Sequence, residues 1–543
     1  MRKVKTEILP FTKDRITELK SMDYNNYPVV YILHNESKKL KAYIGETVQI
    51  RNRLNSHWKD KNKKMDKAVI ISHEEFNQSA TYNIETNLIN YFIADQKYEL
   101  LNKSQTTSSV THNYYEKPKY DYDIFNDLWE KLRQDKLVDG TLEHLQNKDI
   151  FKLSPYKELS ESQIELKEKI LEFCNENIDS EKPAVFFIKG EAGTGKSVVL
   201  SSTFNAIQDL SKDEHSKLHK TNNHLLVNHE EMIKTYKSIA ESLPNLLKKN
   251  FIKPTTFING ANNGKIESPD ITLVDEAHLL LSREDAYNDY RGDNHLKDII
   301  AASKVTIVVF DEKQFLKLKS YWTEDLFKKI SKGAKVKTFE LTDQFRIQAD
   351  DEIVDWIDDF VSKKVRPIPE SSDNYELKVF DDAGEMFDLI QKRDETHSLS
   401  RVVATFDYEH KKDGKEYYVE EIGFKGVWNT TEDKQTWAER SDTIKEVGSI
   451  YTVQGFDLNY VGVILGPSVS YDEKKGGLVI LPHKYKDVGA FTDSTKKTVE
   501  YNVQETKEQI ILNSINVLMK RGVKGLYIYA SDEKLRRALN RIK

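Results

Sequence analysis

The stretch AVFFIKGEAGTGKSVVLSSTFNAIQDL, residues 184–210, decides how the chain is read. Its opening run is near-continuously apolar and rich in β-branched and aromatic residues, the pattern of a strand buried on both faces. Its closing run carries apolar residues at helical spacing. Between them stand Gly190, Gly193, Thr194, Gly195, Lys196 and Ser197. Glycines in this position let successive backbone N–H groups curl around a phosphate, and the helix that follows points its positive end at the same place. Lys196 is placed to hold β- and γ-phosphates, and the Ser197 hydroxyl to ligate Mg²⁺. A glycine-rich turn can arise by chance, but chance requires neither the strand before it nor the helix after it.

The same grammar repeats outward. ITLVDEA, KVTIVVFDE, RVVATF and YVGVILG are short apolar runs separated by helical stretches, which predicts parallel α/β architecture with enough strands for two sheets. Asp275 and Glu276 close one of these strands. Asp275 is expected to bind the Mg²⁺ and Glu276 to polarise the attacking water. Carboxylates at a strand end are often mere caps, a reading that weakens once a phosphate loop lies upstream. Gln314 closes another strand, where it could sense a γ-phosphate. Arg346 in LTDQFR and Arg521 in MKRG are candidate cations, and Gln454-Gly455 in YTVQGFD forms a turn between them. Charge on a transferring phosphoryl group calls for arginines from a second domain, because closure then couples to hydrolysis. Any one arginine alone is more often a surface residue; the order of the segments singles these out.

GEAGTGKS, VDEAH, FDEKQ, LTDQFR, YTVQGFD and MKRGVKGLYIY stand in the order of superfamily 1 helicase motifs. Over residues 155–540 the chain resembles the Schlafen group-3-like DNA/RNA helicase domain. The resemblance implies two RecA-like domains, ATP in the cleft, and Arg346 and Arg521 reaching it from the second. It also makes Gln163 the adenine-reading glutamine. The DEAH wording of the second motif is more usual in superfamily 2. Segments 211–265 and 467–505 match no motif and read as insertions, one of them a candidate strand-contacting element.

Ahead of this body lies a different pattern. PVVYIL and KAYIGE flank the polar HNESKKL, a hairpin signature. A basic helix (IRNRLNSHWKDKNKK), a third strand (KAVIISH) and an amphipathic helix (YNIETNLINYFIADQ) follow. Arg53 and His57 share a helix face at i,i+4 spacing. Phosphodiester hydrolysis needs a base for the water, a cation on the phosphate and a metal on the leaving oxygen. Tyr31, Arg53 and Glu85 fill those roles, and a single protein ligand leaves most of the Mg²⁺ shell to water and phosphate. Taken singly, each has a bland reading: strand tyrosines pack, and helix arginines and glutamates face solvent. Jointly, residues 27–105 resemble the GIY-YIG nuclease domain, with Tyr31, Tyr43, Gly45, Arg53, His57, Glu85 and Asn102 at the family's positions. Val29 replaces the family's first glycine. Sequence leaves Tyr31, Tyr43 and His57 open as the base, with Tyr31 favoured.

Composition sets outer bounds. Over 543 residues, a 38% hydrophobic and 31% charged content fits several globular domains and excludes general disorder. The one cysteine, Cys174, excludes a disulfide framework or a Cys-rich zinc site, and favours a reducing compartment. No apolar run approaches a membrane span; a cytoplasmic location is expected. Residues 1–120 hold 20 Lys/Arg against 14 Asp/Glu in a chain of net charge −6, a modest basic front end.

The expected organisation is therefore an N-terminal extension (1–26), a small α+β GIY-YIG domain (27–105), a helical bridge (106–154), and two RecA-like parallel-sheet α/β domains (155–345 and 346–543). The expected activity is an ATP-dependent DNA translocase fused to a Mg²⁺-dependent endonuclease, with an anti-phage role in bacteria anticipated from the architecture. Three rival readings are an ATPase that senses nucleotide and gates the nuclease without translocation, a front domain retained only to bind DNA, and RNA in place of DNA.

Overall fold

The computed structural model describes residues 3–19, 26–60, 64–102, 114–190, 193–267, 269–285, 289–311, 315–320, 322, 324–341, 349–372, 374–411, 413–430, 437–453, 456–492 and 502–541. Two compact units form: residues 1–175 with 198–221 and 234–251, and residues 176–197 with 222–233 and 252–543.

In the first unit a five-stranded sheet has the order β1-β4-β2-β3-β5. Its strands are β1 (Lys5–Pro10), β2 (Val29–His34), β3 (Lys41–Thr47), β4 (Lys67–Ser72) and β5 (Glu99–Leu100). The expected hairpin is there, β2 pairing antiparallel with β3 so that Tyr31 opposes Gly45 and Leu33 opposes Tyr43. Residues 1–26 do more than extend the chain. β1 closes the edge of the sheet in antiparallel register with β4, Lys5 opposite Ser72 through Pro10 opposite Lys67. Its KTEILP wording carries only two large apolar residues, so the pairing comes from the exposed backbone of β4 rather than from a hydrophobic pattern. Val29, Tyr31, Leu33, Ile50, Leu54 and Ile70 are buried together as the core between this sheet and the helix Ile50–Lys59.

On the other side runs the helix Gln78–Asp95, capped by Asn77, whose side chain accepts from Ala80 N. Helices Phe125–Gln134 and Leu142–Asn147 and the short turn Asp149–Lys152 clasp it. Tyr91 packs against Phe125, Trp129 and Phe151 with ring centroids 5.1, 5.2 and 4.6 Å away. The expected bridge is thus a second layer on the helix that carries Glu85.

The second unit holds two mainly parallel sheets. The first has the order β11-β6-β10-β9-β7-β8, built from β6 (Ala184–Gly190), β7 (Asn223–Val227), β8 (Phe251–Ile252), β9 (Ile271–Asp275), β10 (Val305–Phe310) and β11 (Lys335–Leu341). β7 corrects the reading of 211–265 as an insertion: it pairs in parallel with β9, Asn223 opposite Ile271 through Val227 opposite Asp275. NHLLV has a short apolar run between polar residues, too brief for a periodicity signal, yet all five residues are buried. The second sheet has the order β12-β20-β17-β13-β16-β15-β14. Its members are β12 (Glu376–Phe380), β13 (Arg401–Ala404), β14 (Tyr418–Glu421), β15 (Phe424–Trp428), β16 (Glu446–Gly448), β17 (Leu458–Leu465) and β20 (Gly522–Ala530). Its apolar centre is β17, buried at every position and flanked in parallel by β13 and β20. Segment 467–505 contributes a separate hairpin of β18 (Val469–Asp472) and β19 (Gly477–Ile480).

Candidate nuclease and nucleotide sites

The nuclease residues converge on one face of the first unit. Tyr31, fully buried at the centre of β2, places its hydroxyl 2.9 Å from His57 Nε2. Arg53 Nε donates to the same hydroxyl at 3.1 Å, and Arg53 Nη2 to the Tyr43 hydroxyl at 3.4 Å. The i,i+4 spacing on the helix Ile50–Lys59 brings both basic side chains to the tyrosines. Burial, then the neighbouring Tyr43, pushes the Tyr31 phenol far above its ordinary value, against the pull of Arg53. At neutral pH it therefore keeps its proton. Arg53 donates to its oxygen, and a hydrogen bond joins the same hydroxyl to His57 Nε2. The result is a chain from guanidinium to phenol to imidazole.

Gly45 is what lets the phenol lie there. A Cβ at this position would stand 2.3 Å from the Tyr31 hydroxyl and 2.5 Å from its ring carbon. Gly45→Ala is therefore expected to displace Tyr31, cut strand cleavage about 100-fold, and cost about 1–3 kcal/mol of stability. Cleavage kinetics and urea unfolding together check this; an alanine variant that cuts at the wild-type rate contradicts it.

Glu85 is buried, 3% exposed, and lies close enough for its charge to act on Tyr31. Asn102 anchors β3 from the far side, donating to Ile44 O (2.7 Å) and accepting from Ile44 N (3.1 Å). Its role in the fold is to pin the YIG strand. One acidic residue escaped the sequence reading. Glu46 accepts from Thr81 Oγ1 at 3.3 Å, and Thr81 is one helical turn from Glu85 on the same helix. Burial raises the Glu46 carboxyl. Its place directly after Gly45 was the available signal.

In the second unit the phosphate loop ends β6. Gly193 and Gly195 adopt left-handed backbone, φ 90° and 75°. A Cβ on Gly190 would meet Leu341 O at 2.8 Å and Thr194 Oγ1 at 3.0 Å, so the loop is held tightly at its first glycine. Thr194 is buried. Lys196 Nζ donates to Gly190 O at 2.6 Å and lies 3.7 Å from Asp311 Oδ2. Asp311, at the end of β10, was passed over in the sequence in favour of Gln314. Ser197 Oγ donates to Asp275 Oδ1 at 3.0 Å, and Asp275 is fully buried. A hydroxyl and a hard carboxylate oxygen side by side, beneath a lysine, fit a Mg²⁺-triphosphate.

Glu276 sits in left-handed backbone, φ 50°, with His278 Nε2 2.8 Å from its Oε2. Burial alone would raise the Glu276 carboxyl; His278, then Lys196 and Arg521, outweigh it and hold the group below the ordinary carboxylate range. His278 is therefore a close charge partner of Glu276. Arg521, 1% exposed, donates Nη1 to Phe456 O at 3.1 Å while its charge reaches Glu276. His229, at the turn after β7, is the residue here that sequence reading missed. Burial lowers it to about 4, Glu276 and a hydrogen bond with the Tyr451 backbone pull it up, and Arg521 pulls it down. One imidazole thus touches the surroundings of both Glu276 and Tyr451.

Gln163, in the first unit, accepts from Ser160 N at 3.0 Å while its own N donates to Ser160 Oγ at 3.3 Å. That reciprocal pair is a capping box at the start of the helix Glu161–Asn177. Gln314, Arg346, Gln454 and Gly455 lie outside the described residues.

Beside the nucleotide residues opens a cleft of about 850 Å³. Asn228, His229, Lys253, Thr255, Lys317 and Tyr451 are among its lining residues, and Gly489 and Thr492 join them from segment 467–505. Lys317 Nζ stands 5.1 Å from the Tyr451 ring centroid. Both segments first read as insertions therefore reach this cleft.

Fold and sites define a P-loop nucleotide hydrolase joined to a phosphodiester-cleaving domain. Comparison with known proteins gives the same result. The Schlafen group 3, DNA/RNA helicase domain matches residues 183–532, and the GIY-YIG catalytic domain matches residues 27–99. The uncharacterized protein YPL245W of Saccharomyces cerevisiae is 41% identical over 419 residues, 70% of this chain and 90% of that protein. Two solved structures are similar. The Pif1 helicase from Candida albicans has 14% identity and TM-score 0.29, covering 71% of this chain and 100% of that one. The DEAD-box helicase Mss116 bound to ssRNA and UDP-BeF has 13% identity and TM-score 0.35, covering 74% of this chain and 75% of that one. The chain belongs to the Schlafen group 3 DNA/RNA helicase family and carries a GIY-YIG catalytic domain ahead of its helicase domain. It is an ATPase/helicase and an endonuclease, and it acts on nucleic acid. No helix among the described residues is long and apolar enough to cross a membrane.

Proposed function

We propose that the helicase body uses ATP hydrolysis to move along DNA and that the GIY-YIG domain cuts the same nucleic acid in a Mg²⁺-dependent reaction. The observation that carries the motor half is His229. It neighbours Glu276 and Arg521 on one side and the Tyr451 backbone on the other, so a strand entering the cleft would be felt where ATP is cleaved. An ATPase that only senses nucleotide has no need of such a link.

In this reading Lys196 binds the β- and γ-phosphates, Ser197 and Asp275 hold the cation, Glu276 orients the attacking water, and Arg521 offsets charge on the transferring phosphoryl group. Gln314, Arg346, Gln454 and Gly455 complete the set. In the nuclease, Tyr31 takes the proton of the attacking water and passes its own to His57, while Arg53 and Tyr43 orient the phosphate. Glu85 would hold a divalent cation, which when bound neutralises charge on the phosphate and its leaving oxygen. DNA is taken as the track; the lysines and the tyrosine that line the cleft suit the backbone and bases of a single strand. The defence role rests on the pairing of the two domains.

ATP turnover with and without DNA tests the motor: stimulation by DNA is expected, stimulation by RNA alone would reassign the track, and indifference to both would favour the sensor. Lys317→Ala is expected to weaken that stimulation and to lower the salt slope of DNA binding by about one counterion. Fluorescence anisotropy over a salt series reads it; an unchanged slope would remove Lys317 from the track.

A further inference from the structure

Five of the chain's six tryptophans, Trp129, Trp322, Trp356, Trp428 and Trp437, are sunk in its cores, none more than 6% exposed. The sixth, Trp58, is 43% exposed. It stands in the last turn of the helix Ile50–Lys59, directly after His57. An indole left in water forfeits one of the largest apolar burials a side chain offers, so its exposure calls for a use. Its seat is firm on one side only. The ring meets Phe11 edge-on, with centroids 5.5 Å apart and planes at 73°. Phe11 belongs to the core between sheet and helix, and its N–H donates to Asp66 O at 2.9 Å. The N-terminal segment thus props the indole and leaves the remainder of it to solvent.

The helix itself says what the indole faces. It carries Arg51, Arg53 and Lys59 and neither Asp nor Glu. Ile50, Leu54 and His57 form its buried stripe. Trp58 lies on one flank of that stripe and Arg53 on the other, about 7.5 Å apart along the axis and about 140° apart around it. Between them on the solvent side runs an exposed ridge of Asn52, Ser56 and Lys59. Asn55 and Arg51 stand one and two turns before Trp58 on its own face. Ringed by a cation and amides instead of apolar side chains, the indole suits a polyanion that carries π-faces better than an apolar protein surface.

We infer that Trp58 is a base-stacking platform that takes an unpaired DNA base from the strand whose backbone reaches Arg53, so that the nuclease selects forked or single-stranded DNA over continuous duplex. This rests on the nuclease reading above. A strand crossing the ridge from Arg53 to Trp58 spans roughly the 10–12 Å width of a helix, or about three nucleotides at duplex spacing. Within a continuous duplex each base face is already stacked on its neighbours, and presenting one to Trp58 costs unstacking and unpairing. An unpaired base pays neither, and stacking on an aromatic ring accepts any of the four bases because each has a π-face. The platform therefore reads whether the strand is paired, not its sequence.

The test uses the full chain as wild type, Trp58→Ala and Trp58→Phe. Cleavage of labelled forked and fully paired DNA of the same sequence is measured with Mg²⁺ and ATP at enzyme below saturation. Wild type is expected to favour the fork, Trp58→Ala to lower the ratio of forked to paired cleavage about 10- to 100-fold, and Trp58→Phe, which keeps a ring to stack, to hold that ratio within about threefold of wild type. Acrylamide quenching of tryptophan fluorescence gives a second readout that needs no cleavage, because only Trp58 is open to the quencher. A single-stranded oligonucleotide without Mg²⁺ is expected to shield the quenchable emission of wild type, and Trp58→Phe to lack that emission from the start. An unchanged ratio in Trp58→Ala overturns the inference, as does an equal loss on both DNAs, which would make the indole structural. Quenching that is indifferent to the oligonucleotide also overturns it. Shielding by DNA in a wild-type chain that cuts no DNA overturns the nuclease reading and leaves the platform standing.

Discussion

Lys196→Ala should lower ATP turnover about a thousandfold or more while the chain stays folded. The ammonium of Lys196 is the charge nearest the expected phosphates: it donates to Gly190 O and faces the buried Asp311. Removing it strips a point charge from a site walled off from water, where a fixed donor is worth far more than in solvent. It also leaves the Glu276 carboxylate without one of the cations that hold it ionised. Both effects act on the chemical step. Glycine-loop geometry should survive, because it depends on Gly190, Gly193 and Gly195 rather than on the lysine. A coupled-enzyme ATPase assay with a melting curve reads the result. Turnover near wild type in a folded variant would remove the motor.

The second large effect is expected at Glu85. Glu85→Ala should abolish Mg²⁺-dependent strand cleavage, by about a thousandfold, and leave ATP hydrolysis at the wild-type rate. Glu85 is buried beside the Tyr31–His57–Arg53 chain, and no cluster of three or more metal-ligating side chains occurs among the described residues. A cation there leans on a single protein oxygen and takes the rest of its shell from water and phosphate, as Mg²⁺ prefers. With so little redundancy, loss of that oxygen is severe. Glu85→Gln, which keeps the volume, separates a metal effect from a packing one and should fail equally. Glu46, one turn away through Thr81, is the side chain that would sustain residual cutting if the assignment were wrong.

How far the sequence alone carries the account depends on the range of the signal. The phosphate loop, the strand ending in Asp275 and Glu276, and the Tyr31/Gly45 hairpin are local: their chemistry and their geometry are written in the same few residues, so reading them needs no tertiary information. β2 is buried at every position and shows no alternation, so the register that opposes Tyr31 to Gly45 comes from the length of the intervening turn. β1 and β7 were illegible for a different reason. Each is too short or too polar to show a period, and each is made a strand by an edge already in place. His229, Asp311 and His278 belong to the same class. Each is a polar residue at or just after a strand end, and nothing but the meeting of β7, β9 and β10 tells it apart from a cap. Gln163 shows the converse: a position singled out by resemblance turns out to carry a capping box that its Ser-x-x-Gln wording already spelled.

The division of labour between two phosphate-handling centres is best tested on one protein preparation, by measuring ATP turnover and DNA cleavage together on folded Glu85→Ala chain. The account predicts that cleavage disappears and turnover persists at its wild-type, DNA-stimulated rate. Undiminished cleavage, or turnover lost alongside it, would contradict the assignment of the two chemistries to separate sites.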